Sequence, residues 1–596
     1  MARLHSMIDP DSKADDLTGY EQHLLDPRRG DIEDDTSSPK SRSLLAIAGT
    51  LLAEVSIPKL LFAWTISLLL PAVLLGLAPL VATAWFASLS SRILYLAEIG
   101  TALVLLVVVG IGFFAWRPLL RIAEENFWSL HALLVLPTYM LGSEAIRHLI
   151  ERLFGRNSTD LKRVKLRAAS SAISGLMMCL GGLLIAGLVW PSSRWLGTAS
   201  DIMVPHHLIV PTIANAVVLV SVYFAISSFI SGFFDASMEQ PHDLRSFDVA
   251  SHDRKAWRVA HLTDIHAVGE RYGFRIESGR GGPRGNDRFC RLLSSLADIH
   301  AARPLDLLLV TGDATDAGRS TEWAEFFDAI NRFPDLAARM IVLPGNHDLN
   351  IASRSNPAQI DLPFSIRKLL RQARTLSAIN AVQGDRVYVI SDDGEQQPLR
   401  HAMTLQHQCM TQLAEQGDIH SSIQFRKTFH SLFPMIAPPS EPNGLGIAIL
   451  NSNAESHFSF TNALGFVSIE QANRLLAAFK QYPDANWIVA LHHHLQEYPK
   501  SGPFSIRIGT ALVNGSWFIR KLRPYASRAI IFHGHRHMDW IGTCGSLKVV
   551  SGPSPVMGAV DSASTHFYIH TLTTNSNGHI ALLPPERVNI AGSISD

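Results

Sequence analysis

The spacing of hydrophobic positions divides this chain into two parts. In the first part the apolar stretches are long and carry no charged residue; they cover residues 60–91, 99–116, 168–193 and 202–234. About 20 consecutive apolar residues are enough for a helix to span a bilayer. The pattern therefore predicts an all-α transmembrane domain of about four helices at residues 56–236.

In the second part the apolar runs are short and rich in β-branched or bulky residues. Five of them, at residues 257–262, 307–310, 340–343, 487–491 and 529–532, are separated by amphipathic stretches. Short apolar runs bounded by turn residues are typical of buried strands. We therefore predict an α/β domain at residues 250–590, with a cap-like insertion at about residues 350–440, where the interval between strands is unusually long.

A polar cluster follows each of the five short runs. In chain order the clusters are Asp264-Ile265-His266, Gly312-Asp313-Ala314-Thr315-Asp316, Gly345-Asn346-His347-Asp348, His492-His493-His494 and Gly534-His535-Arg536-His537. Open α/β sheets place their binding crevices at the carboxyl ends of strands, so we expect the clusters to converge. Carboxylate, amide and imidazole ligands together suit Mn, Fe, Zn or Mg. The sequence therefore predicts a site for two divalent metal ions.

The order and spacing of these clusters closely resemble the calcineurin-like metallophosphoesterase superfamily, whose motifs run D-x-H, G-D-x-x-D, G-N-H-D/E, H-x-P and G-H-x-H. The resemblance covers roughly residues 255–560. It implies a four-layer α/β/β/α sandwich. It also implies hydrolysis of a phosphodiester, phosphomonoester or pyrophosphate by water that two metal ions activate.

The same resemblance implies a role for each cluster residue. Asp264, His266 and His537 would bind the first metal, Asn346, His493 and His535 the second, and Asp313 would bridge the two. His347 would protonate the leaving oxygen or stabilise developing charge, and Asp348 would orient its imidazole. Asp316 is better interpreted as a loop or supporting residue than as a ligand.

The fourth cluster departs from the family pattern, because three histidines are followed by Leu495 where the family often has H-x-P. Alignment to the missing proline favours His493 as the ligand. In an extended segment His492 and His494 would point the other way, so an error would shift the ligand by one residue.

Substrate contacts are less well marked. Arg280, Arg284 and Arg288 lie in or beside a glycine-rich segment after the first cluster, and guanidinium groups could clamp an anionic substrate. The alternative is an exposed, solvated loop. The segment 450–453 with Gly465 weakly resembles the cyclic-nucleotide phosphodiesterase branch of the family, which slightly favours a phosphodiester.

Charge patterning predicts where the two parts lie. The segment 1–55 begins with a mostly polar stretch, and this composition predicts a disordered cytoplasmic tail. Basic residues are concentrated in the loop between the second and third predicted spans, above all at residues 147–167. Loops rich in Lys and Arg stay in the cytoplasm, so four spans would leave both termini and the α/β domain in the cytoplasm as well. A shorter apolar patch at residues 128–141 is expected to be interfacial or re-entrant. We therefore predict a multi-pass protein of the inner (cell) membrane, with the lipid bilayer as a partner.

Composition restricts the other partners. The 596 residues are 47% hydrophobic and carry no formal net charge, and the second part has no long basic stripe, so long nucleic acid is a disfavoured partner. Four cysteines without paired spacing agree with a reducing compartment. The competing hypothesis is a membrane sensor or scaffold that binds a phosphorylated ligand without turnover. The sequence does not predict an oligomeric state or a physiological substrate.

Overall fold

The computed structural model describes most of the second part of the chain and portions of the first. The described residues are 70–93, single positions between 135 and 150, 160–198, 201, 204–238, 241–249, 255–270, 273–276, 283–350, 366–416, 419–454, 463–496, 498, 512–558 and 562–592. They divide between two compact units, Ser56–Gln240 and Pro241–Asp596. The predicted tail, the apolar stretch 99–116, most of the patch 128–141 and Arg280 lie outside the described residues.

Long helices make up most of the described part of the first unit: α1 (Leu70–Ile93), α2 (Asp160–Val189) and α3 (Ile209–Ser237). Two segments, Ala168–Ser192 and His206–Ser237, are long and apolar enough to cross a membrane by length and composition. They coincide with the third and fourth predicted spans. In α1 the apolar segment is the shorter Ala72–Trp85. The structure thus provides two such helices, and the four-helix domain stays a prediction.

Helices α2 and α3 pack against each other through small residues. A Cβ atom built on Gly175 would fall 2.8 Å from the Cα atom of Gly232, so the two backbones are nearly in contact there. Close packing at small residues is a common basis of helix association in membranes. On the opposite face of α2, Leu184 and Leu188 are 64% and 72% exposed.

Two sheets form the centre of the second unit. The strands are β1 (His242–Asp243), β2 (Ala256–Leu262), β3 (Leu307–Val310), β4 (Met340–Val342), β5 (Tyr388–Ile390), β6 (Gln396–Pro398), β7 (Met435–Ala437), β8 (Leu445–Ile449), β9 (Asn486–Ala490), β10 (Ala529–His533), β11 (Trp540–Cys544), β12 (Leu547–Ser551), β13 (Thr565–Thr574), β14 (Ile580–Leu582) and β15 (Glu586–Ile590). One sheet has the order β1-β11-β12-β10-β9-β8-β7-β5-β6, and the other has the order β14-β13-β2-β3-β4 with β15 paired to β13. β2, β3 and β4 are parallel, as are β8, β9, β10 and β12.

Helices surround the two sheets. They are α4 (Asp287–Ala302), α5 (Ser320–Ile330), α6 (Pro334–Ala337), α7 (Asn346–Leu349), α8 (Ile366–Gln383), α9 (Leu399–Leu405), α10 (His407–Gln416), α11 (Ile419–Ser431), α12 (Ile469–Gln481) and α13 (Gly515–Leu522). Leu309 and Phe532 share a core between the two sheets, whereas Leu308 packs with Trp323 of α5 on the other face of β3. Beyond the larger sheet, Phe479 of α12 packs on Trp487 with ring centroids 5.1 Å apart. These contacts confirm a mixed α/β domain with sheets, and the four-layer α/β/β/α order stays a prediction.

The described part of the predicted cap joins this sandwich. Strands β5, β6 and β7 extend the larger sheet at one edge. The side chain of Gln383, at the end of α8, accepts from the Val342 amide at 2.6 Å and donates to the Val342 carbonyl at 3.0 Å. Helix α8 is therefore fastened to β4, the edge strand of the smaller sheet. Residues 351–365 lie outside the described part, and a lid function for this interval stays a prediction.

A short strand precedes the predicted α/β domain at residues 250–590. The second compact unit begins at Pro241, and β1 within it pairs antiparallel with β11. The two residues of β1 are polar, so no hydrophobic pattern marked them as a strand.

Candidate metal centre

The strand ends bring the predicted ligands together in a strained backbone. Five non-glycine residues of the described part have positive φ: Asp264 at 52°, His266 at 50°, Asp313 at 50°, His535 at 75° and His537 at 48°. This left-handed region is uncommon for residues with a Cβ atom, and such strain concentrates at functional sites. All five are residues that the motifs predicted as metal ligands.

The first group contains Asp264, His266 and His537, whose ligand atoms lie within 4.8 Å of one another. Asp264 is fully buried, and its Oδ1 lies 3.3 Å from Nε2 of His537. Its Oδ2 accepts hydrogen bonds from the Thr263 hydroxyl at 2.7 Å and the His535 amide at 3.0 Å. The His535 amide also lies within hydrogen-bond distance of Oδ1, at 3.2 Å, so the described neighbours fix the carboxylate with Oδ1 facing His537.

The imidazole of His266 is oriented by Asp316. Its Nδ1 lies 3.1 Å from Oδ1 of Asp316, whose other oxygen accepts the Ile276 amide at 2.6 Å. Nε2 of His266 is buried without a hydrogen-bond partner and lies 3.8 Å from Oδ2 of Asp313. A buried nitrogen without a partner costs free energy unless a ligand or water occupies the space before it. The atom is well placed to bind a cation beside Asp313.

The second group surrounds Nε2 of His492. This atom lies 3.0 Å from Oδ1 of Asn346, 3.2 Å from Oδ2 of Asp313 and 3.1 Å from Nδ1 of His535. A single imidazole N–H cannot donate to three acceptors at once. These four atoms can all donate an electron pair, and they lie close together, as the ligands of a divalent cation do. The residues therefore fit a second metal ion.

The fourth cluster is shifted by one residue from the prediction. The sequence placed its ligand at His493, whereas the structure brings His492 to the second group. Nδ1 of His493 instead lies 2.9 Å from the Ser452 hydroxyl, and its ring packs on His535 with centroids 4.4 Å apart. Consecutive side chains of an extended segment point to opposite sides, so only one of the two rings can face Asp313.

His347 lies beside the first group. Its ring centroid is 4.6 Å from that of His266, and its Nδ1 lies 2.7 Å from the backbone carbonyl oxygen of Asp316. The amide of His347 donates to Oδ1 of Asp313 at 2.8 Å. The residue is therefore held against both the bridging carboxylate and the first ligand group.

Asp348 holds the loop of the second cluster. Its carboxylate accepts the Gly345 amide at 2.9 Å and both the amide and the hydroxyl of Thr315, at 2.9 and 2.7 Å. Burial and the nearby Asp313 raise the pKa of Asp348. Through these contacts Asp348 holds the Gly312–Asp316 loop in place. Its predicted role in orienting the His347 ring stays a prediction.

The charges at the second group complement one another. Burial raises the pKa of Asp313, but the neighbouring His492 and His347 hold the pKa well below its usual range. Burial lowers the pKa of His492, yet the facing Asp313 carboxylate raises that pKa to about 9. Without a metal, a proton on His492 therefore balances the Asp313 carboxylate at neutral pH. Burial and the surrounding histidines lower the pKa of His493 and of His535.

Two of the three arginines that were predicted to contact the substrate lie in the described part of the structure. Arg288 is buried and donates to the carbonyl oxygens of Val556 at 2.7 Å and Ala563 at 2.9 Å. It therefore fastens α4 to the segment before β13, which corrects its interpretation as a free anion clamp. The guanidinium of Arg284 lies 4.6 Å from the ring centroid of Phe274.

Sequence reasoning missed several supporting residues. Arg275 is fully buried and donates to the carbonyl oxygens of His266, Pro283 and Gly285. The Ser554 hydroxyl donates to the Asp264 carbonyl at 2.6 Å. Neither residue belongs to a motif, and nothing in the local pattern marks them. Ser452 lies in the segment 450–453, which the sequence had singled out for another reason.

Several solved structures are similar to this chain at low sequence identity. Three of them are a protein described as a 5′-nucleotidase from Staphylococcus aureus, solved with alpha-ketoglutarate (10% identity, TM-score 0.31, 57% of this chain and 55% of that chain), a dimetal phosphatase from Danio rerio (11%, 0.31, 56% and 99%) and an NAD nucleotidase from Haemophilus influenzae (13%, 0.29, 57% and 57%). The match spans little more than half of the first and third of these chains. No curated protein matches the sequence.

A family model gives the decisive match, since it aligns to residues 258–539 and contains all five clusters. Members of this family use a dinuclear centre of divalent metal ions, and the groups of His and Asp residues beside and around Asp313 could hold metal ions. Residues 258–539 are therefore a calcineurin-like phosphoesterase domain.

Proposed function

We propose that the protein is a membrane-anchored phosphoric ester hydrolase that uses two divalent metal ions. The observation that carries the proposal is the position of Asp313, whose Oδ2 lies 3.2 Å from Nε2 of His492 and 3.8 Å from Nε2 of His266. The carboxylate thus lies between the two ligand groups. A shared carboxylate is what a pair of ions at about 3.5–4 Å requires.

The residues divide into two sets of ligands. Asp264, His266 and His537 would bind the first ion, Asn346, His492 and His535 the second, and Asp313 both. When bound, the ions activate water and neutralise the charge of the phosphoryl oxygens. Imidazole, amide and carboxylate donors suit Mn, Fe, Zn or Mg, and the ligand set does not select among them.

His347 is the residue we assign to proton transfer or charge stabilisation at the leaving oxygen. With Nδ1 at 2.7 Å from the Asp316 carbonyl, the ring carries its proton on that nitrogen when neutral. Nε2 is then the atom that can exchange a proton with a substrate. The amide of His347 bonds to Asp313, so ring and bridging carboxylate keep a fixed relationship.

Anchoring at a membrane is supported by the apolar surface of the first unit. Large side chains of α2 and α3, such as Leu188 and Phe233, are 72% and 58% exposed, and exposed apolar faces of this kind favour lipid over water. We retain the proposal of a multi-pass inner-membrane protein with its catalytic domain in the cytoplasm. Its test is whether a protease degrades residues 241–596 in inside-out vesicles but not in right-side-out vesicles.

Hydrolysis by the full-length protein in detergent tests the enzyme. We expect turnover of a generic phosphoester, either bis-p-nitrophenyl phosphate or p-nitrophenyl phosphate, that requires Mn²⁺ and stops on chelation. Asp313→Asn is expected to lower it by about 100-fold or more, whereas Asp298→Asn, at an exposed position of α4, should leave it unchanged. Phosphodiester turnover would support the phosphodiesterase assignment. Metal binding and phosphate binding without turnover of either ester would favour the sensor hypothesis.

A further inference from the structure

His492 is held at three points, two on its backbone and one on its ring, by residues that follow three different strands. Its amide donates to the hydroxyl of Ser452 at 3.1 Å, and its carbonyl accepts the Gly534 amide at 3.1 Å. Its Nδ1 lies 2.8 Å from the carbonyl oxygen of Thr311, which belongs to the other sheet. Of these contacts, the one from Ser452 is the only one made by a side chain.

The hydroxyl of Ser452 uses all its hydrogen-bonding capacity on the histidine segment. It accepts the amides of His492 and His493, each at 3.1 Å, and lies 2.9 Å from Nδ1 of His493. A serine hydroxyl has two acceptor positions and one proton. The proton must therefore go to Nδ1 of His493, and a neutral His493 then carries its own proton on Nε2.

Backbone carbonyl groups of the neighbouring segment already have other hydrogen-bond partners. The regular pairing of β8 with β9 ends near Leu450, whose amide donates to the Ala490 carbonyl at 2.9 Å. Beyond it, the Asn451 carbonyl accepts the side chain of Gln471 at 2.9 Å and the Ser452 carbonyl accepts the Phe466 amide at 2.8 Å. Past the end of β8, the Ser452 hydroxyl continues the pairing by accepting the amides of His492 and His493.

We infer that Ser452 is a positioning residue for the second metal site, and that it decides which histidine of the triplet faces the metal. By fixing both amides it sets the direction of the segment. By bonding to Nδ1 of His493 it retains that ring on the side away from Asp313, so that His492 occupies the ligand position.

The expected consequence is selective for one site. The Ser452 hydroxyl contacts His492, which belongs to the second ligand set, while no contact in the described structure connects it to Asp264, His266 or His537. Residues that support a metal ligand typically change its metal affinity by about 10–100-fold. Loss of the Ser452 hydroxyl should therefore weaken the second site and spare the first.

The inference rests on the proposed dinuclear function, and the experiment separates the two. Mn²⁺ binding to the full-length protein in detergent is measured by equilibrium dialysis and by electron paramagnetic resonance. Ser452→Ala is made in two backgrounds: His266→Ala, which removes the first site, and Asn346→Ala, which removes the second. We expect a loss of about tenfold or more in Mn²⁺ affinity in the His266→Ala background and a change below about twofold in the Asn346→Ala background.

The controls make every outcome informative. Ser422→Ala removes a buried hydroxyl that has no hydrogen-bond partner and should change neither affinity. Ser452→Thr should restore the second site, and Ser452→Cys, with a weak sulfur acceptor, replaces the alanine variant if that variant does not fold. Equal weakening in both backgrounds, or none in either, would overturn the inference. A wild-type protein that binds fewer than two ions would instead overturn the proposed function.

Discussion

Asp316 and His266 form a buried pair in which Oδ1 of the carboxylate lies 3.1 Å from Nδ1 of the imidazole. Asp316 is 3% exposed and His266 is fully buried. The pair places the proton of a neutral His266 on Nδ1 and leaves Nε2 available beside Asp313. A carboxylate behind a metal-binding histidine fixes its ring and increases its basicity.

The first prediction follows from this pair. Asp316→Ala should weaken metal binding at the first site by about 10–100-fold, because the His266 ring loses its orientation and the Ile276 amide loses its acceptor. Asp316→Asn preserves an acceptor oxygen and should cost less. Equilibrium dialysis with Mn²⁺ measures both. An Asn variant that is as weak as the Ala variant would show that the charge, rather than the orientation, is what matters.

The second prediction concerns the buried Glu322 at the start of α5. Its Oε2 accepts the amides of Ala317 at 2.8 Å and Arg319 at 3.0 Å. Burial and the nearby Asp316 raise the pKa of Glu322 to about 8, from an ordinary value of 4.5. The native state therefore holds this proton more tightly than the unfolded state does. The stability that results is present below pH 4.5 and is lost as the pH rises through 8.

Glu322→Gln removes that dependence while retaining an acceptor for both amides. At pH 9 we expect the variant to be more stable than the wild type, by roughly 1–4 kcal/mol in the free energy of unfolding, and at pH 5 the two should be similar. Thermal unfolding midpoints of the metal-free protein between pH 5 and 9 measure this. Asp298→Asn, which removes an exposed carboxylate, is the control. A variant that is less stable at pH 9 would contradict the raised pKa.

The buried strands could be predicted from sequence with little error. The apolar runs 307–310 and 529–532 correspond to β3 (Leu307–Val310) and β10 (Ala529–His533). Central parallel strands are covered on both faces, so their sequences read as continuous apolar runs. The polar clusters after them were predictable for the same reason, since parallel strands deliver their carboxyl ends to one edge.

The choice between His492 and His493 could not be predicted in this way. Both have the same side chain, and their order in the segment carries no information about direction. The direction is set by Thr311 and Ser452, which lie 181 and 40 residues away in sequence from His492. Arg288 illustrates the same difficulty, because its carbonyl partners lie 268 and 275 residues away.

The third prediction concerns the segment before β2. Oδ1 of Asp243 accepts Nε1 of Trp540 at 2.9 Å, and the carboxylate of Asp248 bonds to Lys548 and to the Leu582 amide. Since β1 covers the edge of β11, removing it would expose an unpaired strand. A fragment that starts at residue 251 should therefore unfold at a lower temperature and aggregate more readily than one that starts at residue 238.

Asp248→Ala in the full-length protein tests the same contacts without exposing a strand edge. The Asp248 side chain is 38% exposed, so loss of this half-buried acceptor should cost only about 0.5–1.5 kcal/mol in the free energy of unfolding. Scanning fluorimetry of the two fragments and of this variant measures the effects. Equal unfolding temperatures for the two fragments would show that residues 241–249 do not contribute to the stability of the catalytic unit.

The fourth prediction uses the proton on His492. The pKa of His492 is about 9, against an ordinary value of 6.5. In the metal-free protein the ion pair with Asp313 therefore stabilises the fold fully below pH 6.5. This contribution is lost as the pH rises through 9. A metal ion at the second site needs the neutral imidazole, so binding must displace the proton. At pH 8 we therefore expect about one proton to be released per ion bound at this site, and affinity should rise with pH up to about 9.

Proton release also decides which histidine is the ligand. Burial and neighbouring histidines lower the pKa of His493, so a ligand at that position would already be neutral at pH 8 and would release no proton. Calorimetry of Mn²⁺ binding in two buffers with different ionisation enthalpies counts the protons. The His266→Ala background isolates the second site, and adding His492→Ala should abolish both the release and most of the affinity. If His493→Ala abolishes binding while His492→Ala retains it, the ligand is His493 and the inference about Ser452 fails with it.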